Sequence, residues 1–107
     1  MIAQTPKTPY YAVIFTSIKT KMDIGYDETA SLMEELAKKQ KGFLGIESAR
    51  NEIGITVSYW ESLDAIRDWK NQVDHTKVRA KGKTDWYQQF KVRICKVERD
   101  YGFEKQP

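Results

Sequence analysis

Residues 43–60 decide the fold. They consist of a first run, Phe43-Leu44-Gly45-Ile46-Glu47-Ser48-Ala49-Arg50, a turn-like pair, Asn51-Glu52, and a second run, Ile53-Gly54-Ile55-Thr56-Val57-Ser58-Tyr59-Trp60. The second run alternates apolar with small or polar residues, which is the period of a half-buried strand. The gap between the runs is too short for the crossover that parallel strands need. The sequence therefore predicts an antiparallel hairpin over residues 43–60.

A helical pattern lies on each side of this hairpin. Asp27 is placed to cap the first helix, Gly42 to end it, and Ser62 to cap the second helix. Apolar residues recur at helical spacing in both segments: the first stripe is Ala30, Met33, Leu36 and Ala37, and the second is Ile66, Trp69 and Val73. The patterns predict two amphipathic helices that each bury one face.

One further strand is predicted at each end of the chain. Residues 10–18 are rich in β-branched and aromatic side chains, and residues 90–97 alternate in character. Residues 74–89 are polar and basic, with a break at Gly82 and a short helix or turn at residues 86–87. The resulting order, β-α-β-β-α-β, predicts an α+β fold of the ferredoxin-like split β-α-β type, with a four-stranded antiparallel sheet.

The first strand predicts a second copy of the chain. Its apolar residues lie on both of its faces, since Tyr11, Val13 and Phe15 alternate with Ala12, Ile14 and Ile18. Helices cover only one face of such a sheet. Because two-fold self-association is the commonest symmetry, we expect a homodimer in which an identical sheet covers the other face.

Composition limits the function classes. The 107 residues suit one domain, which we place at residues 10–103 between a flexible N-terminal arm, 1–9, and a C-terminal tail, 104–107. The apolar runs are too short for a membrane span, and the N-terminus does not resemble a signal peptide, so we expect a cytoplasmic protein that binds no membrane. The net charge of +3 predicts no nucleic-acid partner, and Cys95 alone builds no metal site.

Several segments together resemble one known family. In chain order these are residues 42–48, 57–60 and 65–69, then His75, Gly82, residues 86–87 and residues 97–99. Their order and spacing resemble the antibiotic biosynthesis monooxygenase superfamily of dimeric α+β barrels, over residues 10–103. The resemblance implies a homodimer whose two sheets form a barrel, with a ligand pocket in each subunit between sheet and helices.

The resemblance leaves three functions open. The superfamily includes oxygenases that act without metal or flavin on planar, hydrophobic aromatic molecules, proteins without known activity, and haem-degrading enzymes. The haem-degrading branch has an asparagine on the first strand, a tryptophan on the second long helix and a later histidine. Trp69 and His75 match the last two, whereas the first-strand position holds Thr16 or Ser17. A non-catalytic ligand-binding or stress-related protein is the main alternative to an oxygenase, and haem binding is the third.

Candidate proton-transfer residues are few. His75 is the only histidine and suits a general base, although a histidine at a helix end also bonds a carbonyl group or Asp74. The phenols of Tyr59 and Tyr87 suit proton transfer, and tyrosines near strand ends are also common edge residues. We take His75, Tyr59 and Tyr87 as the candidate catalytic residues.

Candidate substrate-binding residues are mostly aromatic. They are Trp60, Trp69 and Trp86, together with Phe15 and Ser17 on the first strand. The indoles suit the wall of a flat aromatic site, and Trp69 equally suits the helix core. Glu47 and Arg50 suit a surface pair, a buried pair or an anion contact. The basic residues Lys77, Arg79, Lys81 and Lys83 suit a solvated loop, a ligand carboxylate or a nucleic-acid backbone.

Overall fold

The computed structural model describes residues 1–74 and 85–107. Its elements are β1 (Tyr10–Lys19), α1 (Tyr26–Lys38), β2 (Phe43–Arg50), β3 (Gly54–Trp60), α2 (Leu63–Asp74) and β4 (Tyr87–Val97). The strands form one antiparallel sheet in the order β2-β3-β1-β4. This architecture confirms the predicted α+β fold, its element order and the central hairpin.

The two helix starts differ in how they are capped. Ser62 Oγ accepts a hydrogen bond of 3.0 Å from the Ala65 amide, which confirms the predicted cap of α2. The prediction that Asp27 caps α1 was wrong, because the residue before α1 is Gly25, in the left-handed conformation at φ 78°, and no side chain caps that end. Asp27 instead lies in the first turn, where its charge suits the helix dipole.

Strand ends also differ from the prediction. β4 begins at Tyr87 rather than at Phe90, because Tyr87 pairs with Lys19 beyond a register shift in β1. β3 begins at Gly54, one residue later than predicted. β4 ends at Val97, where the alternating pattern also ends. The predicted break at Gly82 lies outside the described residues.

The core lies between the helices and one face of the sheet, which we call the helix-facing side. Trp60 is fully buried there with Ala37, Ala65 and Ile66. Ala30, at the start of the predicted stripe of α1, is exposed, so the C-terminal half of α1 carries the burial. Gly42 has φ +86°, and a Cβ there would lie 2.7 Å from the Ala65 Cβ, which requires glycine where the turn passes α2.

The other face of the sheet, which we call the open face, carries apolar side chains and contacts from the terminal segments of the chain. Ile14 and Val57, which pair across β1 and β3, are half-buried, and Ile55 is 45% exposed. At one end of this face the Ala3 amide donates a 2.9 Å hydrogen bond to Glu47 Oε2. Among the described residues, no helix has both the length and the apolar composition needed to cross a membrane.

Candidate functional site

One row of residues crosses the helix-facing side of the sheet. Arg50 on β2 pairs with Gly54 on β3, Gly54 pairs with Ser17 on β1, and Ser17 pairs with Phe90 on β4. Directly paired residues of antiparallel strands point to the same side of a sheet, so all four share one face. We call Arg50, Gly54 and Ser17 the cross-strand row.

The Arg50 side chain lies along this row. Its guanidinium donates a hydrogen bond to Ser17 Oγ, although β3 lies between the two strands. Gly54 makes this path possible, because a Cβ at that position would lie 2.1 Å from the Arg50 Cζ. Ser17 is only 1% exposed, so the hydroxyl that accepts this bond is an inner anchor for a side chain that is itself exposed at the surface.

Four rings surround the end of the row, and we call them the aromatic cluster: Phe15, Tyr26, Tyr87 and Phe90. Phe15 stacks on Phe90 and meets Tyr87 edge to face, each at 5.4 Å between centroids. Tyr26 meets Tyr87 edge to face at 5.9 Å. The Arg50 Cζ lies 5.9 Å from the Tyr26 centroid, so the cross-strand row and the aromatic cluster form one site.

The pKa of Tyr87, one of the two phenols of the cluster, is raised above its usual value. Burial raises the pKa of Tyr87, and a 3.3 Å contact between its hydroxyl oxygen and that of Tyr26 adds to the increase. The positive charge of Arg50 opposes the increase without cancelling it. Tyr87 is therefore a hydrogen-bond donor at physiological pH and not a base.

Tyr59, by contrast, lies on the open face. Its hydroxyl donates a 2.5 Å hydrogen bond to Glu47 Oε1, and its ring meets that of Tyr10 edge to face at 5.8 Å. Burial, followed by the bond to Glu47, raises the pKa of Tyr59. The bonds from Tyr59 and from the Ala3 amide lower the pKa of Glu47. The structure thus separates Tyr59 from Tyr87 by the full thickness of the sheet.

The three tryptophans occupy different positions. Trp60 is fully buried in the core, where its indole N–H donates to Ser58 Oγ at 2.9 Å. Trp69 is half-buried and stacks on Trp60 at 6.1 Å, as expected for a core residue. Trp86 is 3% exposed, meets Tyr26 at 5.8 Å, and donates its N–H to the Ile24 carbonyl at 3.2 Å. Of the three, it is Trp86 that adjoins the aromatic cluster.

The structure brings some of the predicted site residues together and separates others. Phe15, Ser17 and Tyr87 share the site, with Trp86 beside it, whereas Tyr59, Trp60 and Trp69 lie elsewhere. His75 and the basic residues Lys77, Arg79, Lys81 and Lys83 lie outside the described residues. Sequence reasoning missed Tyr26 and Phe90, because only the pairing register and the path of α1 bring them to Tyr87.

Two hollows lie away from the aromatic cluster. A gap of about 40 Å³ between the helices is lined by Met33, Leu36, Gln40, Trp69, Gln72 and Val73, and it holds a few water molecules at most. A groove of about 210 Å³ lies towards the β1–β4 end of the sheet, lined by Thr16, Ser17, Ile18, Ile53, Gln89, Lys91 and Arg93. Ser17 belongs to the cross-strand row, but most of the other lining residues are at open-face positions, so the groove opens mainly on the other side of the sheet.

Comparison with known proteins supplies one sequence relative. No protein-family model matches the chain. The uncharacterised protein YqjZ of Bacillus subtilis is 48% identical over 106 residues, which cover 97% of this chain and 93% of that protein. Identity at this level over nearly both lengths shows a common family.

Solved structures share the fold at low sequence identity. A Nitrosomonas europaea protein described as a candidate antibiotic biosynthesis monooxygenase is 12% identical, with a TM-score of 0.66 over 89% of this chain and 93% of that one. SnoaB, a cofactor-independent oxygenase from Streptomyces nogalater, is 11% identical, with a TM-score of 0.63 over 92% and 100%.

A third solved structure contains a porphyrin. It is a single-site mutant of MhuD with two manganese protoporphyrin IX molecules in each active site, and it is 20% identical, with a TM-score of 0.62 over 87% of this chain and 99% of that one. The three likenesses confirm the resemblance found in the sequence at the level of the fold. The chain belongs to the family of the Bacillus subtilis protein YqjZ, and it has the fold of the antibiotic biosynthesis monooxygenases.

Proposed function

We propose that the protein is a monooxygenase of the antibiotic biosynthesis type, which acts on a planar aromatic molecule without a metal or flavin. The observation that carries the proposal is the aromatic cluster on the helix-facing side, joined to a cation and to a protonated phenol. The fold shared with SnoaB, a cofactor-independent oxygenase, supports the reaction type.

The rings of the cluster bind the flat substrate. Phe15 and Phe90 are stacked, and the edge-to-face ring of Tyr87 stands beside them, so a planar molecule meets both ring faces and ring edges. The Tyr87 hydroxyl donates a hydrogen bond to a substrate oxygen. Because this donor is strongest towards an oxyanion, it favours the deprotonated substrate over the neutral one.

The chemistry needs only the substrate and molecular oxygen. A CH₂ group between two aromatic rings loses a proton and gives one electron to O₂, and the two radicals then combine to a peroxide. Loss of water leaves a ketone, so that R₂CH₂ and O₂ become R₂C=O and H₂O. We propose His75 as the base for the first proton, since burial raises the pKa of Tyr87 and an imidazole titrates near neutral pH.

We propose that the working unit is a homodimer. The open face carries Ile14, Val57 and the 45% exposed Ile55, and an identical sheet would cover them. Light scattering at micromolar concentration should give twice the 12.5 kDa chain mass. Ile55→Glu should shift the protein to the monomer, and a monomeric parent protein would refute the dimer.

Anthrone, whose oxidation to anthraquinone changes the absorbance, tests the activity. We expect O₂ consumption above the rate with heat-denatured protein, and a loss of about tenfold in kcat/KM for Phe15→Ala because a stacking ring is removed. Tyr87→Phe should lower kcat by about tenfold or more while KM changes less. Tyr10→Phe on the open face is the matched control. Turnover that both cluster variants leave unchanged would overturn the proposal.

A non-catalytic binding protein is the second candidate. The raised pKa of Tyr87 favours it, because the described side chains of the cluster then supply hydrogen-bond donors but no base. The two candidates differ in one result. If the parent protein and a His75→Ala variant both bind anthrone and neither consumes O₂, the protein is a binding protein and the proposed oxygenase activity is refuted.

The described residues do not fit the haem-degrading role. Ser17 lies at or next to the first-strand position where the haem-degrading branch has an asparagine, and its hydroxyl already accepts a hydrogen bond from Arg50. Trp69 stacks on Trp60 in the core instead of standing free for a porphyrin. A titration with haemin checks this directly, since we expect no shift of the Soret band.

A further inference from the structure

We propose that Arg50 is the anion-binding residue of the site and that the natural ligand is an aromatic carboxylate. This inference rests on the proposed function in one respect, since it takes the aromatic cluster as the place where the flat part of the ligand binds. It adds a substrate class and a specificity-determining residue to that site.

The geometry holds the guanidinium at the cluster. Neighbouring strands lie about 4.8 Å apart, so β2 and β1, on either side of β3, are separated by roughly 9.6 Å. The Arg50 side chain crosses this distance over Gly54 and ends at Ser17 Oγ. A residue with a Cβ at position 54 would block the path, because the Cβ would lie 2.1 Å from the Arg50 Cζ and Nη2.

The contacts of Arg50 leave its charge available to a ligand. Within residues 1–74 and 85–107, the hydrogen bond and the ring contact described for Arg50 are to the Ser17 hydroxyl and the Tyr26 ring face, and neither partner is a carboxylate. A guanidinium has five N–H donors, and the hydroxyl accepts only one of these bonds. The nearby cation Lys19, which also lies over the Tyr26 ring at 4.3 Å, is paired with Asp23. Arg50 is therefore the cation of this site that suits an anion.

A carboxylate is the anion that this arrangement fits best. The planar guanidinium of arginine donates hydrogen bonds to both oxygens of a carboxylate at once. The bond to Ser17 Oγ holds the Arg50 guanidinium in one position for such a contact. The next row of the same face carries the hydroxyls of Ser48 and Thr56, which provide further donors beside the guanidinium. With the carboxylate on Arg50, the attached ring lies against Tyr26 and Tyr87.

A pair of probes of equal shape tests the proposal. Anthracene-2-carboxylate and anthracene-2-carboxamide differ in charge but hardly in size, and their fluorescence reports binding. We expect the parent protein to bind the carboxylate about tenfold more tightly, the usual size of a charge-assisted hydrogen bond. Arg50→Gln should bring the ratio of the two dissociation constants to about one without weakening carboxamide binding, and Arg50→Lys should give an intermediate ratio.

Two further variants separate position from mere charge. Gly54→Ala needs no unusual backbone conformation, but its Cβ displaces Arg50, so the carboxylate preference should fall while carboxamide binding stays the same. Arg67→Gln is the matched control, because it removes an exposed arginine of α2 that pairs with Asp64 at 2.9 Å. Its carboxylate preference should equal that of the parent protein.

The outcomes distinguish this inference from the proposed function. If the parent protein binds both probes equally and Phe15→Ala abolishes that binding, the role of Arg50 is overturned and the aromatic site is supported. Binding of neither probe, or binding that Phe15→Ala does not weaken, would count against both. A carboxylate preference that survives Arg50→Gln would also overturn the role of Arg50.

Discussion

Two groups of tyrosines lie on opposite faces of the same sheet, and they differ in their hydrogen-bond partners. On the open face, Tyr59 donates to Glu47 and Tyr10 donates to Asp100. On the helix-facing side, Tyr26 and Tyr87 face each other, with Arg50 at the edge. A phenol bound to a carboxylate has already made its strongest bond, whereas paired phenols beside a cation can still bond a ligand.

The difference assigns separate roles to residues of the same type. The open-face group joins distant parts of the chain, since Ala3 also donates to Glu47 and Asp100 lies beyond the end of β4. It therefore acts on stability. The helix-facing group joins aromatic surface to an available charge, so under the proposed function we expect it to act on ligand binding. Raised phenol pKa values alone do not distinguish the two, because Tyr59 and Tyr87 both have them.

The largest expected effect tests whether the helix-facing side is the core of the protein. Trp60→Ala should lower the free energy of unfolding by about 3–5 kcal/mol, because the ring is fully buried between the sheet and the helices. Urea denaturation followed by circular dichroism measures it. Leu63→Ala, at a position 54% exposed on α2, is the control. Equal losses for the two variants would mean that the packing does not depend on this face.

An intermediate effect sets the two groups against each other. Tyr59→Phe should lower the free energy of unfolding by about 1–2 kcal/mol, because it takes a donor from a partly buried carboxylate. Tyr87→Phe should change stability by less than about 0.5 kcal/mol and weaken binding of anthracene-2-carboxylate. The comparison fails if Tyr59→Phe weakens ligand binding while Tyr87→Phe acts only on stability.

The smallest effect is a dependence on pH that arises from Glu47 on the open face. Glu47 has a lowered pKa in the folded protein, so its stabilisation is present above the unfolded pKa of about 4.3 and is lost as the pH falls through the folded pKa. Glu47→Gln should therefore destabilise by about 1 kcal/mol at pH 7 and by less below pH of about 4. Unfolding free energies at both pH values measure this, and a difference independent of pH would contradict it.

Local patterns predicted most of the fold. The alternation in residues 53–60, the apolar stripe of α2 and the capping residue Ser62 each depend on neighbours a few positions away, and all three are present. The cap of α1 was mispredicted, because a glycine in the left-handed conformation replaced the side chain that the pattern suggested.

The candidate site was only partly predictable. Of the predicted residues, Phe15, Ser17 and Tyr87 lie together in the candidate site, whereas Trp60 and Trp69 lie in the core. Tryptophan has the same side chain in a core and in a pocket wall, and a sequence does not report which one surrounds it. Tyr26 was missed because it begins a helix whose approach to β4 depends on packing.

By itself, the sequence determined the order of the elements, the hairpin and the amphipathic faces, because these follow from residues close together in the chain. Only the tertiary structure decided that Arg50 reaches Ser17 across Gly54, and that Tyr59 and Tyr87 lie on opposite faces. The physical reason is the pairing register: a shift of one residue between strands would turn every side chain to the other face. The register between β1 and β3 is set by pairing between residues far apart in the chain, such as Ser17 and Gly54, and no local pattern contains it.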